Sequence, residues 1–274
     1  KTKQIKKNKI IIAIDAMGGE NAPFKNIKGI SLFLKKNKKN NDVFFNIYGD
    51  EDLIKKEISK YNILTDQYKI FSSSTVVSDE ETPLTAIKNS KDSSMWNSIN
   101  SQITSNSNIT LSAGNTGVLF VVSRMLLKTI GAVSKPALAG LWPNKKKMNV
   151  VLDLGANVEC DEKNLIDFSE MGAALYKALF PDDTPKVALL NIGSEEIKGT
   201  EVLKKAYVTL KEISKYGDFE FNGFIEGNKI THGESNVIVT DGFTGNIALK
   251  TAEGTAKFIT DSLKESLSSN IFAK

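Results

Sequence analysis

Short β-branched and apolar runs alternate along this chain with longer stretches whose apolar positions recur every three or four residues. The short runs end repeatedly on a polar residue and a glycine-bearing turn. Val237-Ile238-Val239-Thr240-Asp241-Gly242-Phe243-Thr244-Gly245-Asn246 shows the pattern in full: a buried strand, a tight turn and a helix start near Ile247. The same design recurs where 10–15 runs into Ala16-Met17-Gly18-Gly19-Glu20-Asn21-Ala22-Pro23, and where 108–111 runs into Ser112-Ala113-Gly114-Asn115-Thr116-Gly117. It returns where 149–153 meets Leu154-Gly155-Ala156-Asn157 and where 186–191 meets Ile192-Gly193-Ser194-Glu195-Glu196.

In chain order the pattern predicts strands at 10–14, 43–48, 68–72, 109–111, 136–142, 149–152, 186–191, 219–225 and 237–240. Helices are predicted at 23–36, 50–61, 82–103, 115–129, 162–179 and 194–215, with a last one from about Gly245. The 136–142 and 149–152 strands read as a hairpin around Pro143-Asn144. The 115–129 helix, with Val118, Leu119, Val121, Val122, Met125 and Leu126, reads as buried. The last helix carries Ala252, Ala256, Ile259, Leu263, Leu267 and Ile271 as one apolar stripe. That stripe faces either the core or a membrane or protein partner. Helices alternating with strands define an α/β fold, a three-layer α/β/α sandwich with a largely parallel sheet. The expectation is a single α/β domain over 1–274, with an amphipathic helix at 247–274.

Polar residues at the carboxyl ends of parallel strands matter because ligands collect at that edge in open α/β sheets. A helix N-terminus there offers unpaired backbone N–H groups and about half a positive charge, which suits an anion. A single such turn has an ordinary explanation, since Gly supplies positive φ and Ser, Asn or Asp supply caps. Five of them together point to one shared polar site.

Composition narrows the chemistry. At 41% hydrophobic and 25% charged residues, the 274-residue chain is globular in character, and no apolar run approaches the roughly 20 residues that span a bilayer. Its lysine-rich start leads into a short strand rather than the apolar core of a signal peptide, so a cytoplasmic location is expected. Cys160 is the only cysteine, which excludes an intrachain disulfide; it reads as a small apolar filler. His232 is the only histidine, so any site needing two is excluded, and no Gly-x-Ser-x-Gly elbow supports hydrolase chemistry. The net charge is +4, almost all of the positive charge being lysine, with Arg124 alone as arginine. The lysine clusters read as solvated faces suited to an acidic protein partner or anionic headgroups. Nucleic acid is not expected, because no basic stripe is interleaved with aromatics.

Five motifs then carry a resemblance. Asp15-Ala16-Met17-Gly18-Gly19 with Asn21-Ala22-Pro23, Ser112-Ala113-Gly114-Asn115-Thr116-Gly117, Asp153-Leu154-Gly155-Ala156-Asn157, Asn191-Ile192-Gly193-Ser194-Glu195-Glu196-Ile197-Lys198-Gly199 and Asp241-Gly242-Phe243-Thr244-Gly245-Asn246 run in that order. Together they resemble the bacterial phosphate:acyl-carrier-protein acyltransferases, over residues 10 to about 255. The resemblance implies a fold like that of phosphate acetyltransferases and isocitrate dehydrogenase, usually as a homodimer. It also implies attack of inorganic phosphate on the thioester of acyl carrier protein, giving acyl phosphate for phospholipid synthesis. On that footing Asn115, Asp241, Asn246 and Lys88 are the expected catalytic residues. Asn115 and Asn246 would donate side-chain hydrogen bonds, Lys88 would offset phosphate charge, and Asp241 would orient a donor or accept a proton. Substrate and phosphate would meet Asp15, Gly18, Gly19, Asn21, Ser112, Gly114, Thr116, Asn157, Thr244 and Gly245. Backbone N–H groups of 114–116 and 244–246 would form the cradle, and Asp15 and Asp153 would brace the loops.

No cofactor and no metal are expected. The chain departs from the family's pattern at several points. Ser72 and Thr75 stand where the family commonly has His and Glu, Lys88 stands for an arginine, and Asn228 replaces another. Family members continue tens of residues past Lys274, which implies truncation at the C-terminus. The partners expected are acyl carrier protein, inorganic phosphate, a second copy of the chain and a membrane surface met by 247–274. Two rival readings stand beside this one. The first is an NAD-linked isocitrate-dehydrogenase-like oxidoreductase, disfavoured because no Gly-x-Gly-x-x-Gly with a ribose-binding acid follows the first strand. The second is an inactive homologue that only binds carrier protein or membrane.

Overall fold

The structure is a computed structural model that describes residues 9–37, 42–61, 63, 65–78, 85, 90–104 and 106–269. The chain divides into two compact units, Lys1–Lys128 and Thr129–Lys274.

The first unit is built on strands β1 (Ile10–Asp15), β2 (Val43–Gly49), β3 (Tyr68–Ser72) and β4 (Ile109–Ser112), in the order β3-β2-β1-β4 and all parallel. Parallel neighbours need crossovers, and the described helices are α1 (Phe24–Lys36), α2 (Glu51–Ile58), α3 (Ser94–Ile103) and α4 (Thr116–Leu127). Side chains alternate across a strand. Ile14, Phe45 and Ile47 therefore share the face covered by Ile27 and Ile30 of α1 and by Ile54 and Ile58 of α2. On the opposite face Asn46 Nδ2 donates to Asn106 O at 2.8 Å, just beyond α3. Met95 and Ile99 of α3 pack with Val118 and Val122 of α4. Helices thus cover both faces of this sheet.

Two expectations change here. The helix predicted over 82–103 does not run unbroken into its C-terminal half. Asp92 sits at φ 65°, Ser93 caps the next turn by accepting from Trp96 N–H at 3.1 Å, and α3 begins at Ser94. Short polar side chains tolerate the left-handed region and compete for backbone donors, which is why the break falls there. Lys91 and Asp92 therefore precede a helix rather than lie within one. In α4 only Val118 and Val122 are buried, while Met125 and Leu127 are 40% and 42% exposed. Its apolar content overstated its burial.

The second unit contains β5 (Gly140–Pro143), β6 (Met148–Leu152), β7 (Lys186–Leu190), β8 (Glu220–Ile225) and β9 (Val237–Val239), in the order β5-β6-β9-β7-β8. β5 and β6 form the antiparallel hairpin, turned by Asn144 Oδ1, which accepts from the N–H groups of Lys146 and Lys147 at 2.7 Å. The other pairings are parallel. Helices α5 (Glu162–Leu179) and α6 (Glu201–Ile213) cover one face, where Phe168, Tyr176 and Leu210 pack on Val150, Leu152, Val187 and Val239. The other face buries Val151, Ala188 and Ile238 with Ile225, Ile230 and Leu249, the last from α7 (Gly242–Ser269). The α/β/α layering and the parallel bias are as expected.

Boundaries moved for local reasons. Strand β5 begins at Gly140 rather than 136, because Leu138 N–H is taken by the Asp153 carboxylate and Leu138 O by Leu154 N–H. Helix α6 begins at Glu201 rather than 194, its cap supplied by Thr200 Oγ1. Residues 191–199 are held as a turn by Asn191, whose Nδ2 donates to Lys198 O at 3.1 Å. Helix α7 starts at Gly242, within the motif itself, and its second half is solvent-exposed. Phe258 is 72% exposed, and Ile259, Leu263 and Leu267 are all more than half exposed, so that stretch of the stripe does not face a core. Among the described residues no helix is long and apolar enough to cross a membrane.

Candidate active site

In the first unit the ends of adjacent strands β1 and β4 meet. Asp15, almost fully buried, accepts from Ser112 Oγ at 2.7 Å and, more loosely, from Met17 N–H at 3.3 Å. Ser112 Oγ in turn accepts from Gly114 N–H at 3.1 Å. Gly18 closes against this knot: a Cβ there would lie 2.5 Å from Asp15 Oδ2 and 2.8 Å from Gly114 N. Only hydrogen fits. Asn26 of α1 ties the loop down, its Nδ2 donating to Ala16 O at 2.8 Å and Gly18 O at 3.0 Å. That brace was invisible in the motif, since it comes from a helix eight or more residues on. Gly19 holds φ 89°, and Asn21, exposed at φ 58°, precedes the cis Ala22–Pro23 bond. Asn115 caps α4 by accepting from Val118 N–H at 3.1 Å, with Thr116 as the first helical residue. Gly114 N–H is thus already directed at Ser112, and the Asn115 carbonyl serves its own helix. Lys88 lies outside the described residues.

In the second unit the ends of β6 and β9 interlock around Asp153, which is fully buried. Its Oδ1 accepts from Leu138 N–H and Gly155 N–H, both at 3.1 Å, and from Ala156 N–H at 2.9 Å. Its Oδ2 accepts from Asn157 N–H at 2.8 Å and Asn157 Nδ2 at 2.7 Å. Five donors converge on one carboxylate, as a buried charge requires. Asn157 also donates to Pro136 O at 2.7 Å, so its amide is spent on the loop.

The first turn of α7 is pressed onto that loop. Gly242 N–H donates to Asn157 O at 2.8 Å, and a Cβ on Gly245 would lie 1.9 Å from Asp153 O. Asp241 accepts from both Thr244 N–H and Thr244 Oγ1 at 2.8 Å, an N-cap that also fixes the Thr244 hydroxyl. Asn246, exposed, donates to Leu154 O at 3.2 Å, and Gly155 at φ 133° makes room for it. The Asp241 carboxylate therefore takes the one hydrogen of the Thr244 hydroxyl, which is left an acceptor, and Asn246 Nδ2 retains the hydrogen that Leu154 O does not take. Of the predicted residues, Asp15, Gly18, Ser112 and Gly114 come together in the first unit. Asn157, Asp241, Thr244, Gly245 and Asn246 come together in the second.

Cys160 lies beside this edge. Its Sγ donates to Asn157 O at 3.8 Å, and burial, helped by the neighbouring Asp153 and Asp241, pushes its thiol pKa up. A thiol held protonated is a poor nucleophile. His232 is exposed at the end of the short 3₁₀ turn Gly227–His232.

Layered α/β units of this kind commonly take anionic groups at the sheet edge, where strand-end turns lead into helix N-termini. Comparison with known structures gives the same fold. A EutD phosphotransacetylase from Staphylococcus aureus matches with TM-score 0.63 over 91% of this chain and 83% of its own, at 14% identity. A phosphotransacetylase from Streptococcus pyogenes matches equally, at 14% identity over 91% of this chain and 82% of its own. At that identity the likeness concerns the fold alone. The family follows from sequence: the profile described as "Fatty acid synthesis protein" matches residues 10–274, and the chain belongs to that family. A phosphate acyltransferase of Pelagibacter ubique is 53% identical over 97% of this chain and 79% of its own length. One from Ehrlichia ruminantium is 41% identical over 98% and 79%.

Proposed function

We propose that this chain is a phosphate acyltransferase that moves an acyl group from the thioester of acyl carrier protein to inorganic phosphate. The observation that carries the reading is the 53% identity to a phosphate acyltransferase across nearly the whole chain. The same likeness to phosphate acyltransferases favours it over the oxidoreductase and the binding-only alternatives.

In the reaction a phosphate oxygen attacks the thioester carbonyl carbon. The resulting oxyanion collapses, the C–S bond breaks, and the thiolate leaves to take up a proton. Phosphate with a second pKa of roughly 6–7 is largely dianionic near neutrality, so little general-base help is needed. Catalysis then rests on positioning and on donors aimed at the developing oxyanion. In the second unit the donor is Asn246 Nδ2, held in place because Gly245 is seated on Asp153 O; the N–H groups of Gly242, Thr244 and Gly245 are taken by Asn157 O and Asp241, so the cradle expected from 244–246 is not offered by Thr244 and Gly245. Taken by itself, the Gly18–Thr116 edge of the first unit, with Asp15 as its brace, would offer an anion the N-terminus of α4. Lys88 is assigned charge compensation.

The donor is acyl carrier protein, the working form is a homodimer, and the chain acts in the cytoplasm at the inner membrane surface. Exposed Phe258, Leu263 and Leu267 with Lys257 and Lys264 on the same helix support that last point.

The test is trapping of acyl phosphate as its hydroxamate, starting from a long-chain acyl carrier protein with and without phosphate. Hydroxamate should form only with phosphate. Asn246→Asp should lower turnover by on the order of 100-fold while leaving the far-UV circular dichroism unchanged. Equal turnover would remove Asn246 from the site. Carrier-protein binding without any hydroxamate would favour the binding-only reading.

A further inference from the structure

At the carboxyl edge of the second sheet, a cavity of about 850 Å³ opens beyond the ends of β6, β7 and β9. Cys160, Leu165, Leu190, Val202, Leu203 and Ala248 give it apolar walls, and Asp241 and Thr244 belong to the same lining. That size falls within the usual range of ligand pockets, roughly 300–1,000 Å³.

The polar groups along it do not ask for a polar guest. Asn191 Oδ1 accepts from Ile192 N–H and its Nδ2 donates to Lys198 O. Thr200 Oγ1 is spent on the α6 cap, and Asp241 and Thr244 are paired with each other. Among the described residues lining the cavity none is cationic, whereas Glu159 and Asp241 are acids. No cationic side chain belongs to this described lining to pair with a nucleotide or another polyanion, Lys135 reaching only Glu159 O, at 2.9 Å, from outside it. The Cys160 thiol, kept neutral by burial, adds polarizable apolar surface.

Resting on the acyl-transfer reading above, we propose that this cavity receives the hydrocarbon tail of the acyl substrate and sets the preferred chain length. The carbonyl end would lie at Asp241 and Thr244 and the tail would run along Leu165, Leu190, Val202 and Leu203. Val202 on α6 and Ala248 on α7 are the specificity-determining positions: they reach the cavity from different helices, and neither belongs to the reacting turn. Burying each methylene on binding favours the longer chain, so two further carbons should raise kcat/KM roughly tenfold until the cavity is filled.

The experiment compares wild type with Val202→Trp and Ala248→Trp on acyl carrier proteins bearing 6- to 18-carbon chains. Each indole should lower kcat/KM about tenfold or more for the longest chains and leave the shortest unchanged. A second readout does not need turnover. Because Cys160 is the only thiol, palmitate should slow its alkylation by N-ethylmaleimide in wild type and less so in either variant. Unchanged chain-length profiles with unprotected Cys160 would overturn the assignment. So would a loss of self-association in the variants with the profile intact, which would mean that a second copy covers the cavity. Absence of acyl phosphate from every thioester would defeat the transfer reading by itself, and the alkylation result would then decide the cavity.

Discussion

Asp153→Asn removes one negative charge and changes almost no volume, yet it strikes the centre of the second unit. The wild-type carboxylate is an acceptor on both oxygens, with three backbone N–H groups on Oδ1 and two Asn157 donors on Oδ2. An asparagine can keep its carbonyl toward the first three. Its amide NH₂ must then face Asn157 N–H and Nδ2, which sit 2.8 and 2.7 Å from the position it occupies. Two donors would confront a third in a site with no solvent exposure. A buried donor left unsatisfied costs about 1–3 kcal/mol, so the substitution should cost roughly 2–6 kcal/mol, a large fraction of ordinary domain stability. The two tryptophans offer a clean assay, since Trp96 lies in α3 of the first unit and Trp142 in β5 of the second. In a Trp96→Phe background, urea unfolding followed by Trp142 fluorescence should show a markedly lower midpoint for Asp153→Asn at an unchanged slope. A shift worth less than about 1 kcal/mol would refute the reasoning, because it would mean that the five bonds are readily replaced.

Other substitutions probe neighbouring parts of the account. Gly245→Ala places a methyl 1.9 Å from Asp153 O, a backbone collision, and should abolish soluble folded protein or cost several kcal/mol; a wild-type melting temperature would contradict that packing. Ser112→Ala strands Gly114 N–H and removes a donor from buried Asp15, for a loss of about 1–3 kcal/mol, measurable through Trp96 in a Trp142→Phe background. Asp183 should govern part of the acid limb of stability. Its hydrogen bonds from Lys147 Nζ and then Tyr176 OH hold its pKa below the ordinary aspartate value. A depressed folded pKa contributes stability that is complete above the unfolded value and is lost as pH falls through the folded one. Asp183→Asn should therefore reduce stability at neutral pH and flatten its decline on acidification; parallel curves for variant and wild type would exclude the contribution.

Much of this architecture was legible in the residues. Strand ends at Asp15, Ser112, Asp153 and Asp241 could be read because an apolar run must stop where the backbone turns, and Gly with Asp, Asn or Ser marks where it does. The layers followed from alternation of strands and helices. What escaped notice depended on tertiary partners. The early start of α7 at Gly242 is imposed by the Asn157 carbonyl that receives its first N–H. The late start of β5 is imposed by Asp153, which takes the Leu138 N–H. Nothing periodic marks Asn26 as the tether of the 16–18 loop. The apolar cavity was likewise hidden, because Cys160, Leu190 and Val202 come from a loop, a strand end and a helix start, and only the sheet order brings them to one place.

The central claim is phosphorolysis of an acyl thioester, and its most direct measurement is thiol release from palmitoyl-acyl carrier protein, followed at several phosphate concentrations with acyl phosphate quantified in parallel. The account predicts release that rises with phosphate to saturation and matches acyl phosphate mole for mole. Thiol release that is independent of phosphate, or that yields free fatty acid alone, would contradict it.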